Sequence, residues 1–309
     1  MDQHFYSNKP FNLPGLFLVI LVLSFISCTG DDTKTESAKS SLQKTTTLEF
    51  WNGNRSAARQ DYEKKVLKAI LKATDKEWGS VEIEESLEEY PGNKEALVFT
   101  EKDHDLFVTI AGNQKFKEGD MIMIPHLLTK NLLGYRVPII RENDADLFDG
   151  ISDLEDIQNL NHGIPETWSD ATIFRHNGYN VVEEGSFDDI FDRLQKGLFD
   201  YSAYGANEVL GVYENRASKR DGLIIDQNIL LFYPFPLVFY VNPDQPKLAE
   251  RIEEGLQKIK SSGKLDAIFD EHYGNIIEQL NLDSRRLFVL ENPLIPDVFR
   301  HLTPDLDNM

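Results

Sequence analysis

The sequence contains a single cysteine, Cys28, so an internal disulfide bond is excluded. It also has no serine-nucleophile GxSxG motif, no P-loop and no GxGxxG motif, and none of its seven histidines stands at metal-ligand spacing. The stretch Asp103-His104-Asp105 is not predicted to bind a metal either, because neighbouring side chains on a strand point to opposite faces and cannot all converge on one ion. No catalytic residue, metal site or cofactor is therefore predicted, and the chain is not expected to be an enzyme.

Positive charge is scarce relative to negative charge. The chain has 32 lysines and arginines against 52 aspartates and glutamates, which gives a net charge of -20. A protein of this charge repels nucleic acid, so a nucleic-acid partner is excluded. The acidity mildly favours a cationic or neutral ligand over a polyanion.

The one long apolar run, residues 16–26, is too short to span a bilayer, which takes about 20 apolar residues. It follows a short polar head and ends at Ser27-Cys28, so residues 1–27 are predicted to be a secretory signal. The end of the run resembles the lipobox of bacterial lipoproteins, although Phe25 stands where leucine is usual. That resemblance implies a lipidated Cys28, a membrane anchor and a location in the periplasm or cell envelope. An ordinary secretory signal with an incidental cysteine is the alternative.

Residues 28–46 are polar and are predicted to be a flexible tether. The remaining 265 or so residues are enough for two lobes with a core each. Strands and helices alternate along them. Strands are predicted at 47–51, 81–86, 106–110, 137–140, 181–182, 199–203, 229–232 and 237–241. Helices are predicted at 61–74, 93–98, 152–157 (with Ser152 as N-cap), 168–177, 187–195, 247–261 and 265–273. This order predicts an α/β protein with mainly parallel sheets covered by helices, and two domains in linear order remain an alternative.

Polar and aromatic residues follow the predicted strands, where ligands bind in open parallel sheets. In the first such loop, Trp51 offers a stacking face, Asn52 an amide and Arg55 a planar fork for a carboxylate. A surface turn with a tryptophan in the core is the alternative for this loop.

Two later loops have the same character. Thr167 and Trp168 precede a helix whose free N–H groups suit an anion, although plain N-capping explains them as well. Tyr204, Asn207 and Glu208 provide a ring edge, an amide and a carboxylate. We therefore expect these three loops to form a ligand site.

The order of segments resembles the family 3 extracellular solute-binding proteins, which serve amino-acid-type ABC transporters. The resemblance runs from about Thr47 to Tyr273. The stretches that carry it are LLGYRV at 132–137, GYNVVE at 178–183, FDDI at 187–190, GLFDY at 197–201, YPFP at 233–236, LAERI at 248–252 and GKLDAIF at 263–269. The tail LENPL at 290–294 resembles a less characterised branch of transporter substrate-binding-domain proteins.

This resemblance implies a two-lobed periplasmic-binding-protein-like fold of type II. Lobe 1 would hold residues 47–138 and 232–309, lobe 2 would hold residues 139–231, and two crossing strands would form the hinge. A monomer would capture a small polar, amino-acid-like solute between the lobes and deliver it to a membrane permease. Two alternatives stay open: a sensor that signals to a membrane protein, and a protein that has lost its ligand. Related lobes also occur in wall-cleaving transglycosylases, but those enzymes carry a separate catalytic domain, and no residues remain here to build one.

The sequence departs from the family at two positions. Members that bind amino acids often carry a Thr-x-x-Arg element whose arginine holds the carboxylate. The region from Thr109 to Lys115 has no arginine, and Lys115 is the available substitute, as a point charge only. The aspartate that typically meets the amine falls near Gly205. Recognition of an ordinary α-amino acid is therefore in question.

Overall fold

Strands and helices alternate through residues 46–309, the part of the chain that the computed structural model describes. The predicted signal segment, Cys28 and the tether as far as residue 45 lie outside the described residues. The strands are β1 (Thr46–Trp51), β2 (Val81–Ser86), β3 (Leu106–Ile110), β4 (Ile122–Ile124), β5 (Tyr135–Arg141), β6 (Asn161–Ile164), β7 (Asn180–Glu183), β8 (Tyr201–Gly205), β9 (Leu223–Ile225), β10 (Ile229–Phe232), β11 (Leu237–Val241) and β12 (Arg286–Val289). The α-helices are α1 (Ala57–Ala73), α2 (Asp75–Trp78), α3 (Ala145–Asp149), α4 (Leu154–Gln158), α5 (Ser169–His176), α6 (Ile190–Gln195), α7 (Val209–Asn215), α8 (Pro246–Ser261), α9 (Lys264–Tyr273) and α10 (Ile276–Leu280).

The strands form two mixed sheets. The first has the order β2-β1-β3-β11-β4, and the second has the order β12-β10-β5-β8-β6-β7, with β9 also paired to β5. In the first sheet β1 lies parallel to β2 and β3, whereas β11 runs antiparallel to β3 and β4. The predicted α/β class is confirmed. We call the first sheet with its helices the first lobe, and the second sheet with its helices the second lobe.

The two faces of the first sheet bury different side chains, as the alternation along a strand requires. Leu106 and Val108 of β3 face the larger hydrophobic core, and Phe107 between them faces a smaller one. The smaller core also holds Trp51 and, from the C-terminal segment, Ile295 and Phe299. Both faces are covered, which agrees with the almost entirely apolar sequences of β3 and β11.

Helix α1 covers the larger core. Ser56 caps its N-terminus by accepting from the Arg59 N–H, and its buried face includes Val66, Leu67 and Ile70. Helix α8 crosses α1 at Gly255, where a Cβ atom would lie 2.5 Å from Ile70 Cγ2 and 3.0 Å from Ile70 O. The glycine therefore permits the close approach of the two helices.

We expect Gly255→Ala to lower the free energy of unfolding by about 1–3 kcal/mol, because overpacking at this crossing outweighs the helix propensity of alanine. Gly211→Ala in α7 is the matched control, since the nearest atom to its Cβ would be 4.0 Å away. The control should be stabilised by up to about 1 kcal/mol. Urea denaturation of both variants measures this, and an equal effect at the two sites would contradict the packing of α8 on α1.

The strand pairing differs from the predicted lobe boundaries at two places. The boundary predicted at residue 138 falls inside β5, which pairs with β8 of the second sheet through residues 136–140. The strand β12 pairs with β10, so residues 286–289 lie in the second sheet and not in the predicted lobe 1. The chain then returns to the first lobe, where Phe299 is buried. We propose that the chain passes from one lobe to the other at residues 125–134, 233–236 and 290–294.

Three predicted elements lie elsewhere than expected. The residues near 93–98 form a short 3-10 helix, Gly92–Leu97, whose hydrogen bonds close tighter turns than those of the predicted α-helix. Helix α4 is capped by Asp153 and not by Ser152, in a reciprocal arrangement with Asp156. The strand predicted at 199–203 is β8, two residues later, which places Tyr204 in the sheet. No helix between residues 46 and 309 is both long and apolar enough to cross a membrane.

The second lobe encloses a buried histidine. The ring of His162 in β6 stacks on Tyr201, with centroids 4.5 Å apart, and its Nε2 atom accepts from the Ala203 N–H at 3.2 Å. Burial, aided by the nearby charge of Arg136, lowers the pKa of His162 well below the usual 6.5. The imidazole is therefore neutral in the folded protein.

This burial predicts a pH dependence of stability. The unfolded chain takes up a proton as the pH falls below about 6.5, whereas the folded chain does not, so the free energy of unfolding should fall by as much as about 1.4 kcal/mol per pH unit. Urea titrations between neutral and mildly acidic pH should show a smaller slope in His162→Phe than in the native protein. Equal slopes in the two proteins would contradict the assignment.

Candidate functional site

The first predicted loop lies largely inside the first lobe. Trp51 is 0% exposed; its ring stacks on Tyr90 at 5.1 Å and its Nε1 atom donates to Glu88 O at 2.8 Å. Asn52 is also buried, and its amide donates to Gln60 O and to Glu85 Oε1. The prediction that Trp51 offers a face to a ligand is therefore corrected: the ring is a core residue, because the alternation of β1 turns it into the smaller core.

Arg55 is held by its own lobe. Its guanidinium lies 4.8 Å from the Trp51 ring, Nε donates to Val108 O at 3.1 Å, and the same atom lies 3.2 Å from Glu63 Oε2. Burial lowers the pKa of Arg55 against the opposing influence of Glu63. Its Nη1 and Nη2 atoms donate to the backbone carbonyls of Gly53 and Val108, so the predicted carboxylate fork is already occupied.

Arg59 connects the two lobes. Its Nε and Nη2 atoms donate to Glu63 Oε1 at 2.9 and 2.7 Å, and its Nη1 atom donates to Glu208 Oε1 at 3.1 Å. Glu63 belongs to α1 in the first lobe, whereas Glu208 follows β8 in the second. Burial acts against the charge, but Glu63 and Glu208 outweigh it and raise the pKa of Arg59. Charged groups from both lobes therefore meet at the ends of β1 and β8.

Lys115 and Thr167 lie at a second contact between the lobes. Lys115 forms an ion pair with Glu95, and Thr167 is exposed with φ at +70°. A Cβ atom on Gly92 would overlap the Thr167 hydroxyl and lie 3.8 Å from Lys115 Nζ. The structure thus places Lys115 and Thr167 near each other, on either side of Gly92.

Trp168 and Tyr204 lie together in the second lobe. The half-buried Trp168 ring is 6.2 Å from Tyr204 at right angles and 5.4 Å from Phe187. Tyr204 is 1% exposed, and its hydroxyl accepts from Ser202 Oγ at 2.9 Å. Tyr204 is consequently part of the core of the second lobe, and the prediction that its ring edge faces a ligand is corrected. Only Trp168 of the two keeps exposed surface.

Asn207 retains unused hydrogen-bonding capacity. It is 5% exposed, and neither its Nδ2 nor its Oδ1 atom makes a well-formed hydrogen bond within the described residues. The same holds for the buried hydroxyl of Tyr273 in α9. Burial raises the pKa of Tyr273 and a weak hydrogen bond with Asn207 opposes this, so the phenol and the amide lie close to each other. A buried amide without a well-formed hydrogen bond is costly, so a polar molecule that bonded to Asn207 would remove this cost.

An ion pair lies at the crossing between the lobes. Arg136 of β5 pairs with Asp170 in the first turn of α5, and the Tyr233 hydroxyl donates to the same carboxylate at 2.6 Å. Burial works against the charge of Arg136, but Asp170 outweighs it and raises its pKa. This network fixes α5 to β5 and to the connection at residues 233–236.

Sequence reasoning missed Arg59, Glu63, Asp170 and Tyr273. A signal for the first two was present: Ser56 is a good N-cap, and starting the helix there gives an Arg59–Glu63 pair at i,i+4. The contact of Arg59 with Glu208 spans 149 residues and left no local signal. Within residues 46–309, no three His, Cys, Asp or Glu side chains are placed to hold a metal ion.

Solved structures share this fold. An ancestral arginine-binding protein, solved with arginine, is 17% identical with a TM-score of 0.53, over 74% of this chain and 98% of that chain. A periplasmic binding protein of high arginine specificity from Salmonella typhimurium is 13% identical with a TM-score of 0.52, over 74% and 99% of the two chains. A histidine kinase sensor domain similar to periplasmic binding proteins is 15% identical with a TM-score of 0.51, over 75% and 96%.

These similarities establish the fold, which is the two-lobed α/β fold of the periplasmic binding proteins. The resemblance to amino-acid-type substrate-binding proteins is confirmed at that level, because several of the similar structures are such proteins. No family model and no curated protein sequence matches the chain.

Proposed function

We propose that the protein is a non-enzymatic, extracytoplasmic solute-binding protein that holds a small polar molecule between its lobes. The observation that carries the proposal is the meeting of Arg59 and Glu208 between the lobes, beside Asn207, whose buried amide makes no well-formed hydrogen bond within the described chain. Only a closed cleft lets both lobes touch one small molecule, so binding and closure are linked.

The polar groups at the cleft limit the chemistry of the solute. Arg55, Arg59, Lys115 and Arg136 each have a carboxylate partner in the structure. A free carboxylate would have to displace one of these pairs, whereas an amide or hydroxyl could use Asn207 and Tyr273 directly. We therefore favour a solute recognised by neutral hydrogen bonds, with Trp168 and Thr167 as further contacts.

Delivery to a membrane permease is the role we favour, because similar structures include substrate-binding proteins of amino-acid ABC transporters. The histidine kinase sensor domain supports a second candidate, a sensor that signals to a membrane partner. Both roles use the same capture step, and both fit a monomer, which we also propose.

A solute screen tests the capture step. Amino acids, including arginine and glutamine, amides and polyols would be added one by one, followed by calorimetric titration of any that raise the melting temperature. A solute at about a hundred times its dissociation constant should stabilise the protein by about 2.7 kcal/mol. Gly92→Ala should weaken that binding, because its methyl group holds Thr167 away, whereas Gly211→Ala should not. A screen without any binding solute would contradict the proposal.

We propose further that the protein is lipid-anchored through Cys28, the predicted lipidation site, which precedes the described residues. Replacing Cys28 with serine should move the protein from the membrane fraction to the soluble fraction, because one acyl-bearing residue supplies the attachment. Fractionation with detection of the protein measures this, with Ser27→Ala as the neighbouring control. Unchanged membrane association of the Cys28→Ser variant would remove the anchor.

A further inference from the structure

The guanidinium of Arg59 lies between a carboxylate of each lobe, in the position that a bound cation would occupy. The Arg59 side chain is 12% exposed, the Glu63 side chain is 0% exposed, and the Glu208 side chain is 18% exposed. An ion pair on the protein surface contributes little to stability. A pair that is withdrawn from water contributes more when its charged groups are also hydrogen-bonded. Three guanidinium N–H groups donate to the two carboxylates.

The charges around Arg59 balance without any outside ion. Glu63 meets Arg55 and Arg59, and Glu208 meets Arg59. Removing the Arg59 guanidinium would leave Glu208 without its cation, while Glu63 would keep Arg55. The resulting space would be flanked by the carboxylates of Glu63 and Glu208, both of which accept hydrogen bonds from a guanidinium.

We propose that Arg59 is a built-in cationic ligand: its guanidinium bridges Glu63 and Glu208, holds the lobes closed, and keeps cationic solutes out of this part of the cleft. The inference rests on the proposed capture of a solute between the lobes. It adds that the chain itself holds the lobes closed at this position. A solute therefore binds beside Arg59, and the positive charge of the guanidinium disfavours cationic solutes.

Replacement of Arg59 with alanine tests the proposal, with methylguanidinium as the probe. The variant should have a lower melting temperature and a larger radius of gyration by small-angle scattering than the native protein. Methylguanidinium should restore both values in Arg59→Ala and change neither in the native protein. We expect its affinity for the variant to exceed that for the native protein by about tenfold to a hundredfold, which corresponds to one charge-assisted hydrogen-bonded contact.

Three controls and one conservative variant make the result specific. Methylurea has the same shape without the charge and should not restore Arg59→Ala. Adding Glu208→Gln should abolish the gain in affinity. Arg300→Ala, which breaks an exposed pair with Asp297, should not respond to the probe. The conservative Arg59→Lys variant, which keeps the charge, should stay closer to the native protein if the alanine variant folds poorly.

The outcomes separate this inference from the proposed function. A native protein that binds a solute, with no gain of methylguanidinium binding in Arg59→Ala, would overturn the inference alone. A gain in Arg59→Ala, with no solute bound by the native protein in the screen, would support the built-in ligand and overturn solute capture.

Discussion

Replacing Trp51 with alanine should lower the free energy of unfolding by about 3–5 kcal/mol, a large part of the stability of an ordinary domain. The ring is fully buried, stacks on Tyr90 and lies 5.3 Å from Phe107, and it also supports the Arg55 guanidinium. Its loss leaves a cavity in the smaller core and a Glu88 carbonyl without its donor. Urea denaturation followed by circular dichroism measures the effect.

Trp168→Ala is the matched control for this substitution. The Trp168 ring is half-buried, so its loss should cost only about 1–2 kcal/mol. Equal losses at the two tryptophans, or a loss below about 1 kcal/mol at Trp51, would contradict the placement of Trp51 in the core. The contrast also separates a core residue from one that keeps surface for a solute.

A similar loss is expected when Asp170 is replaced with alanine. Arg136 would keep its charge in a site where its side chain is 3% exposed, and an uncompensated buried charge costs about 3–5 kcal/mol. The Tyr233 hydroxyl would lose its acceptor at the same time. Because these groups join β5, α5 and the connection at 233–236, denaturation should also become less cooperative between the lobes.

Asp297→Ala provides the comparison for Asp170. It breaks a pair with Arg300 whose side chains are 86% and 69% exposed, so its effect should stay within about 0.5 kcal/mol. If Asp170→Ala were as mild as this control, the network at the crossing would not hold the lobes together. Combining Asp170→Ala with Arg136→Met should recover part of the loss, since the charge is then removed as well.

Much of the fold was predictable because strand periodicity is local. The strands predicted at 81–86 and 106–110 have those bounds in the structure. The apolar stripe Val66, Leu67 and Ile70 also identified the buried face of α1. The place of β12 was not predictable, because its four residues are mostly exposed and only pairing with β10 makes them a strand.

The site was harder to predict, because side-chain direction depends on register. A polar or aromatic residue after a strand points to the cleft or to the core according to where the strand ends. Tyr204 shows this: β8 continues to Gly205, so the ring belongs to the sheet. Glu208, just beyond that end, contacts Arg59 of the other lobe, and the side chain of Asn207 beside it is buried. Arg59 was missed because its partner in the other lobe is distant in sequence.

Native mass spectrometry of the gently purified protein tests the central claim most directly, that a small polar solute binds between the lobes. We expect one solute per chain, carried through purification or taken up from the screened panel, and a weaker complex in Gly92→Ala than in Gly211→Ala. The mass of the released molecule would identify it. Absence of any complex with the whole panel, or a complex equally strong in both glycine variants, would contradict binding in the cleft.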